Sequence, residues 1–150
     1  PPLRTSEDAQ AIIEGVLDGS VDAIVTDHAP HADWEKAREF ELAPFGMIGI
    51  EASLALINTN LVKTGKMGYG KLVELMSINP RKILGVEPVS IEAGSLADIT
   101  VFDADIEWTV GEDGYVSHAK NCGFAGTKVS GRATDVFVGG KQTLKNGAIC

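Results

Sequence analysis

The sequence is poor in cysteine, and it lacks both a long hydrophobic run and a signal peptide. Only two cysteines, Cys122 and Cys150, occur among its 150 residues, whereas a small secreted disulfide scaffold usually carries more of them at regular spacing. We therefore expect a reducing, cytoplasmic setting. No apolar run reaches the roughly 18 residues that a membrane-spanning helix needs, and no signal peptide opens the chain.

Positive charge is also scarce, since 13 Lys and Arg residues stand against 21 Asp and Glu residues, for a formal net charge of −8. Nucleic acids and anionic membranes both bind basic surfaces, so we expect neither as a partner. A small anionic substrate remains compatible, because one local site can oppose the global charge. The apolar fraction of 44% is sufficient for a hydrophobic core.

The first half of the chain alternates helical and strand patterns. A helical apolar stripe over residues 9–17 precedes a short apolar run at 21–26, the rhythm of a parallel α/β sheet. From about residue 87 strand patterns dominate, and Gly139-Gly140 is a hairpin signal. We predict an α/β segment over residues 1–86 and a β-rich segment over residues 87–150. The start at Pro1, without an initiator methionine, indicates a processed or excised segment.

The string Thr-Asp-His-Ala-Pro-His at residues 26–31 is the most informative for chemistry. Asp27 follows the apolar run, and a carboxylate at the end of a barrel strand faces the barrel mouth, where it can hold a metal or act as a general base. His28 and His31 add neutral nitrogen ligands or hydrogen-bond donors. The plainer alternatives are a turn or cap for Asp27 and a hydrogen-bonded structural role for each histidine.

The shortage of histidine limits what metal the chain can hold alone. A catalytic zinc usually has three protein ligands, and the sequence has only His28, His31 and His118, with no His-x-His and no Cys-x-x-Cys pair. We expect an isolated chain to bind a divalent metal poorly. A second candidate site is the loop-to-helix junction at Gly46 and Gly49, whose N–H groups could meet a carbonyl or an anion, or could simply begin a helix.

Several motifs, in the same order, resemble those of class I dihydroorotases. The most specific are the string at residues 26–31 and Ala-Pro-Phe-Gly at 43–46. A looser match at 94–98 is shared with the wider amidohydrolase superfamily, including hydantoinases and allantoinases. The remaining matches lie at residues 1–4, 77–80 with 83–85, 107–110, 121–126 and 138–141.

The resemblance implies the C-terminal part of a (β/α)₈ TIM-type barrel metallohydrolase, with residues 21–27 as the eighth barrel strand, plus part of a small composite β domain. Asp27 corresponds to the family's catalytic aspartate, which contacts the zinc and shuttles protons. His31 corresponds to the histidine that holds the substrate carboxylate. Phe45 and Gly46 match the loop whose backbone contacts the dihydropyrimidine ring. The implied reaction is the reversible, zinc-dependent hydrolysis of dihydroorotate to carbamoyl aspartate in pyrimidine synthesis.

The sequence departs from the family because the His-x-His motif and the other metal and substrate ligands belong to the family's N-terminal part. One strand cannot close a barrel, so we expect the 150-residue chain alone to be inactive. Its exposed apolar faces would need self-association, as in a homo-oligomer, or rearrangement. Two alternatives stay open: another cyclic amidohydrolase, such as a hydantoinase or allantoinase, and a non-catalytic dihydroorotase-like scaffold for aspartate transcarbamoylase.

Overall fold

The computed structural model describes residues 5–150; the Pro-Pro-Leu-Arg motif at residues 1–4 lies outside them. No helix among the described residues is long and apolar enough to cross a membrane. Within this range the helices are α1 (Ser6–Asp18), α2 (Asp33–Lys36), α3 (Ile50–Ile57), α4 (Tyr69–Val73) and α5 (Asn79–Leu84), and the strands are β1 (Ile99–Thr109), β2 (Lys128–Val138), β3 (Lys141–Lys145) and β4 (Ala148–Ile149).

Helix α1 begins and ends where its sequence predicts. The Thr5 hydroxyl accepts a hydrogen bond from the Asp8 N–H at 3.2 Å, and the Asp8 carboxylate accepts from the Thr5 N–H at 3.0 Å. This reciprocal capping box uses two N–H groups that have no partner inside the helix. Gly19 ends the helix in the left-handed conformation, with φ +91°. Val16, on the predicted apolar stripe, is buried.

Helices α3 and α4, with the π-helical turns that follow them, pack on α1. Helix α3 continues into a π-helical turn at Asn58–Val62, and a second π-helical turn at Glu74–Ile78 joins α4 to α5. Pro80 lies in the first turn of α5, where a missing N–H costs no helical hydrogen bond. These helices share one core with α1, whose buried members are Val16, Leu61, Met67, Leu72 and Leu75.

The β-rich segment is a four-stranded antiparallel sheet in the order β1-β2-β3-β4. Strand patterns at 97–102 and 107–110 belong to one continuous strand, β1, whose pairing with β2 shifts register twice. Gly139 and Gly140 form the predicted hairpin between β2 and β3, and both have positive φ, as two-residue hairpin turns require. The α/β class with a β-rich second half is therefore confirmed.

The expected strand at residues 21–27 is extended but forms no strand ladder within the described chain. The Ile24 N–H donates instead to the Leu75 carbonyl at 3.0 Å. Val25 is 76% exposed rather than buried. The nearest parallel contact is a single bridge between His28 and Met47. A parallel strand needs neighbouring strands to satisfy its backbone groups, and residues 5–150 provide none beside this one. Between this segment and α3 the structure forms only the short helix α2.

Helix α3 packs on the sheet through a second core. Ala52 and Ala55 face Val110 and Val129, and all four are buried. Alanine at two successive turns of one face lets the helix approach the strands closely, because a methyl group is the smallest side chain beyond glycine. The helical and β-rich segments therefore share a hydrophobic interface, and the division between residues 86 and 87 stays a prediction.

Asn58 is the fully buried polar side chain at this interface. Its Nδ2 donates to the Ala104 carbonyl at 3.0 Å and to the Ser130 carbonyl at 2.8 Å, and its Oδ1 accepts from the Tyr69 hydroxyl at 3.2 Å. Each polar atom of the amide thus has a partner, as burial demands. One side chain joins the π-helical turn to both long strands.

We expect Asn58→Ala to lower the free energy of unfolding by about 3 kcal/mol, because it removes a fully buried amide and takes a donor from two partly buried carbonyls, those of Ala104 and Ser130. Asn60→Ala is the matched control: this exposed amide donates only to the Leu56 carbonyl of its own helix, and its removal should cost about 0.5 kcal/mol. Urea denaturation measures both values. Equal losses for the two variants would contradict the role of Asn58.

Candidate active site

Asp27 lies in a turn with a positive φ of 41°, a conformation that few non-glycine residues adopt and that aspartate tolerates better than most. Its side chain is exposed. No hydrogen bond among residues 5–150 involves its carboxylate. Unusual backbone conformations concentrate at functional positions. An exposed carboxylate held in such a turn is available to a ligand rather than committed to capping a helix.

His28 has a structural role. Its Nδ1 accepts hydrogen bonds from the N–H groups of Gly49 at 3.1 Å and Ile50 at 3.3 Å, and its Nε2 lies 3.3 Å from the Ser117 hydroxyl. Since Nδ1 is the acceptor, the neutral ring donates through Nε2 to Ser117. His28 therefore caps α3. Its Nδ1 also takes the hydrogen bond of the Gly49 N–H. This N–H is one of those that the sequence analysis considered as a donor to a carbonyl or an anion.

His31 is half-buried and is held from two directions. Its backbone N–H donates to Asn121 Oδ1 at 3.2 Å. Its ring Nδ1 lies 3.8 Å from Glu35 Oε2, and the same Glu35 oxygen accepts the Ala32 N–H at 2.8 Å at the start of α2. The short helix α2 thus places a carboxylate beside one nitrogen of the His31 ring.

Gly46 lies against the His31 ring, so two of the residues predicted to contact substrate are neighbours. Gly46 has φ +94°. A Cβ there would lie 2.7 Å from Ala29 Cβ and 3.5 Å from His31 Nε2. Only glycine fits both the conformation and the space. Phe45, the third predicted contact, is 84% exposed. Its N–H and that of Gly46 donate to no group among the described residues.

Lys36 and Met47 hold this loop from its other side. The Lys36 ammonium donates to the carbonyls of Pro44 at 3.0 Å and Gly46 at 3.2 Å. The Met47 carbonyl accepts the Ala29 N–H at 2.9 Å. The carbonyl groups of Pro44, Gly46 and Met47 are therefore engaged by the protein, while the N–H groups at 45 and 46 stay available to an acceptor.

Asn121 is a site residue that sequence reasoning missed. Its Nδ2 donates to the carbonyls of Ala29 at 3.1 Å and Gly46 at 3.3 Å, while its Oδ1 accepts from His31. The only signal in the sequence is that Asn121 begins the string Asn-Cys-Gly-Phe-Ala-Gly, which resembles the family. That resemblance does not indicate which groups Asn121 contacts. Asn121 comes from the β-rich segment, 90 residues from His31 and 75 residues from Gly46.

Behind His28 the structure is closed and offers no room for a substrate. The Glu51 carboxylate accepts the N–H groups of Val116 and Ser117, both at 3.0 Å. The Tyr115 hydroxyl is buried without a hydrogen-bond partner among residues 5–150. This burial, together with the neighbouring Cys122 thiol, raises the pKa of Tyr115 to about 12. The cavity there measures about 10 Å³, which is too small for a substrate.

The described residues do not form a metal site on their own. No group of three His, Cys, Asp or Glu side chains within residues 5–150 is arranged to hold a metal, and catalytic zinc usually has about three protein ligands. Asp27 has an exposed carboxylate, so a metal held there would need further ligands from outside residues 5–150.

We expect Gly46→Ala to lower the free energy of unfolding by about 3 kcal/mol, because it adds a steric overlap with the fixed Ala29 methyl group to the backbone strain. Gly65→Ala is the matched control: Gly65 also has a positive φ of 75°, but a Cβ there meets nothing within 4 Å. The control should cost about 1 kcal/mol, from backbone strain alone. Thermal or urea denaturation distinguishes them, and equal losses would rule out close packing at Gly46.

Comparisons with known proteins agree with this architecture. A model of the amidohydrolase family matches residues 2–143. The chain is 43% identical over 145 residues to the dihydroorotase of Chlorobaculum tepidum and 46% identical over 145 residues to that of a Thermoanaerobacter species. Each match covers 97% of this chain and 33% of the relative. The chain thus spans about a third of the length of the curated relatives that it matches.

A solved structure reproduces the same arrangement of helices and sheet. L-hydantoinase (dihydropyrimidinase) from Arthrobacter aurescens superposes with a TM-score of 0.91 at 30% identity, over 100% of this chain and 34% of that one. The predicted fold, part of an amidohydrolase barrel joined to a β-rich segment, is confirmed. Because the family model matches nearly the whole length, the chain belongs to the amidohydrolase family.

Proposed function

We propose that this chain is the part of a dihydroorotase that supplies the catalytic aspartate and the substrate-carboxylate site. The observation that carries the proposal is the position of the His31 ring beside Gly46, where an added Cβ would lie 3.5 Å from His31 Nε2. Gly46 belongs to the loop whose N–H groups at 45 and 46 have no partner among the described residues. An imidazole beside free N–H donors suits an anionic cyclic amide. The 43–46% identity to proteins named dihydroorotase supports this choice.

His31, Phe45 and Gly46 would bind the substrate. Dihydroorotate is a ring with amide carbonyls and one carboxylate. In our proposal His31 Nε2 donates to the carboxylate, and the Phe45 and Gly46 N–H groups donate to ring oxygen. Glu35, 3.8 Å from His31 Nδ1, keeps the ring oriented so that Nε2 faces Gly46. Such positioning contributes to the rate because it presents the ring in a reactive geometry.

Asp27 would carry the proton. When bound, a zinc ion activates water and polarises the ring carbonyl, and Asp27 would be its one ligand from this chain. The Asp27 carboxylate accepts the proton of the attacking water and then donates it to the leaving ring nitrogen, which balances the hydrolysis to carbamoyl aspartate. The same transfers in reverse close the ring. The Asp27 carboxylate makes no hydrogen bond within residues 5–150, so no described group competes for the proton.

The biological setting in this proposal is pyrimidine nucleotide synthesis in a reducing cytoplasm. Both cysteines are unpaired thiols, one half-buried and one exposed, which suits such a compartment. The remaining metal ligands would come from other polypeptide, which would also cover exposed apolar side chains beside the site. Such exposed side chains include Val25, Phe40 and Phe45.

A second candidate is a hydantoinase, favoured by the TM-score of 0.91 to the Arthrobacter aurescens protein. Both reactions open a cyclic amide, so Asp27 could serve either. The two differ in what the substrate offers to His31, since dihydroorotate carries a ring carboxylate for that histidine to bind. The balance of identity and the His31 site favours the first candidate.

A chimera tests the function directly. Residues 1–150 replace the matched third of the Chlorobaculum tepidum dihydroorotase, and the purified protein is assayed with dihydroorotate and with a hydantoin. We expect turnover of dihydroorotate, and none from residues 1–150 alone. Within this chimera, Asp27→Asn should lower kcat by about 10²- to 10⁴-fold, because the amide cannot carry the proton.

The substitution isolates the chemistry, since asparagine tolerates the left-handed turn as well as aspartate does. Asp22→Asn, at an exposed acid of the same segment, is the control and should leave kcat unchanged. A folded chimera that hydrolyses hydantoin but not dihydroorotate would reject our choice. Near-normal turnover by Asp27→Asn would reject the role of the carboxylate.

His31→Ala should act mainly on binding. We expect the KM for dihydroorotate to rise about tenfold or more, with a smaller change in kcat, because a donor to the carboxylate is lost in ground and transition state alike. His118→Ala removes an exposed histidine and should change neither constant. Steady-state kinetics of the three chimeras gives the answer. An unchanged KM for His31→Ala would remove His31 from the binding site.

A further inference from the structure

We propose that Asn121 is a positioning residue that sets the distance between His31 and Gly46 and so controls substrate binding. The proposed effect of Asn121 on catalysis rests on the proposed function, whereas its effect on the geometry of the loops rests on its hydrogen bonds alone. The side chain belongs to the β-rich segment, and its amide lies between two loops that have no regular secondary structure of their own.

The amide makes three hydrogen bonds that use both of its ends. Nδ2 donates to the Ala29 carbonyl at 3.1 Å and to the Gly46 carbonyl at 3.3 Å, and Oδ1 accepts the His31 N–H at 3.2 Å. One loop is therefore held at two points and the other at one. The planar side-chain amide of Asn121 therefore fixes the positions of both His31 and Gly46.

Chemistry explains why asparagine suits this position. Two carbonyl oxygens repel each other unless a donor lies between them, and the amide NH₂ supplies two N–H groups in one plane. The third partner is an N–H, which needs an acceptor on the same side chain. Aspartate has the same shape but only acceptor oxygens, so it would keep the bond to His31 and oppose the carbonyls of Ala29 and Gly46.

The backbone at Asn121 is itself held by hydrogen bonds. The Asn121 carbonyl accepts the N–H of Ile48 at 3.1 Å, and Ile48 is only 2% exposed. The following Cys122 N–H turns back to the Lys120 carbonyl at 2.8 Å. The Asn121 backbone is thus bonded to the buried residue Ile48. The Asn121 side chain can therefore hold the two loops in a defined position.

Loss of the Asn121 hydrogen bonds should affect binding more than proton transfer. Asn121 contacts the residues proposed to hold the carboxylate and the ring, but none of its hydrogen bonds reaches Asp27. The loops would still be joined by the bond from the Ala29 N–H to the Met47 carbonyl. They would therefore loosen without detaching, which predicts a larger change in KM than in kcat.

The test uses Asn121→Asp in the full-length chimera. We expect the KM for dihydroorotate to rise about tenfold while kcat stays within about threefold. Amide hydrogen exchange should become faster in peptides covering residues 28–31 and 44–48. Asn58→Ala is the matched structural control, because that amide also donates to two carbonyls and accepts one bond, but in the interface of α3 with the sheet. It should leave KM unchanged.

Each outcome of these measurements supports or overturns the positioning role of Asn121. If Asn58→Ala fails to fold, Asn60→Ala takes its place as the structural control. A KM rise of equal size in Asn121→Asp and the control would overturn the positioning role, since general destabilisation would then explain it. An unchanged KM in Asn121→Asp overturns it too, whatever the exchange rates. If the parent chimera fails on dihydroorotate, the proposed function fails, and the exchange measurement alone decides whether Asn121 orders the loops.

Discussion

The loops from residue 27 to residue 49 depend on side chains that satisfy their backbone. Apart from the short helix α2 and one bridge at His28, this stretch has no ladder or helix to pair its N–H and carbonyl groups. Partly buried backbone groups without partners are costly. Lys36 and His28 each supply a partner to two backbone groups, and Asn121 supplies partners to three. The shape of the candidate site follows from these seven bonds.

The β-rich segment therefore contributes more than a scaffold. Asn121 orders the two loops, and Ser117 accepts from the ring of His28. Glu51, on α3, in turn holds the backbone at Val116 and Ser117. Contacts run in both directions between the segments, on top of the core shared by α3 and the sheet. The site is assembled at their junction.

Local patterns predicted the features that depend on neighbouring residues in the chain. The apolar stripe of α1 and the hairpin at Gly139-Gly140 needed only a few residues of context. The proximity of His31 and Gly46 followed from the family resemblance, which placed both at the substrate. The roles of Asp27, His31 and Phe45 in chemistry remain proposals.

Long-range pairing could not be predicted in this way. Asn121 lies about 90 residues from His31, and no periodicity encodes which carbonyls an amide will meet. Residues 21–27 have the composition of a buried strand. A ladder, however, requires neighbouring strands, and the described part of the chain has none beside this segment. For His28 the sequence left a ligand and a structural residue open, and the choice depends on the N–H groups at the start of α3.

The span of the Asn121 contacts has a consequence for recombination between related enzymes. Any crossover point between residues 49 and 120 would take the loops from one parent and the amide from the other. Such hybrids inherit a working junction only if both parents place an asparagine at the equivalent position. Crossovers outside that interval keep donor and acceptors together, so they are the natural boundaries for shuffling loops with new substrate preferences.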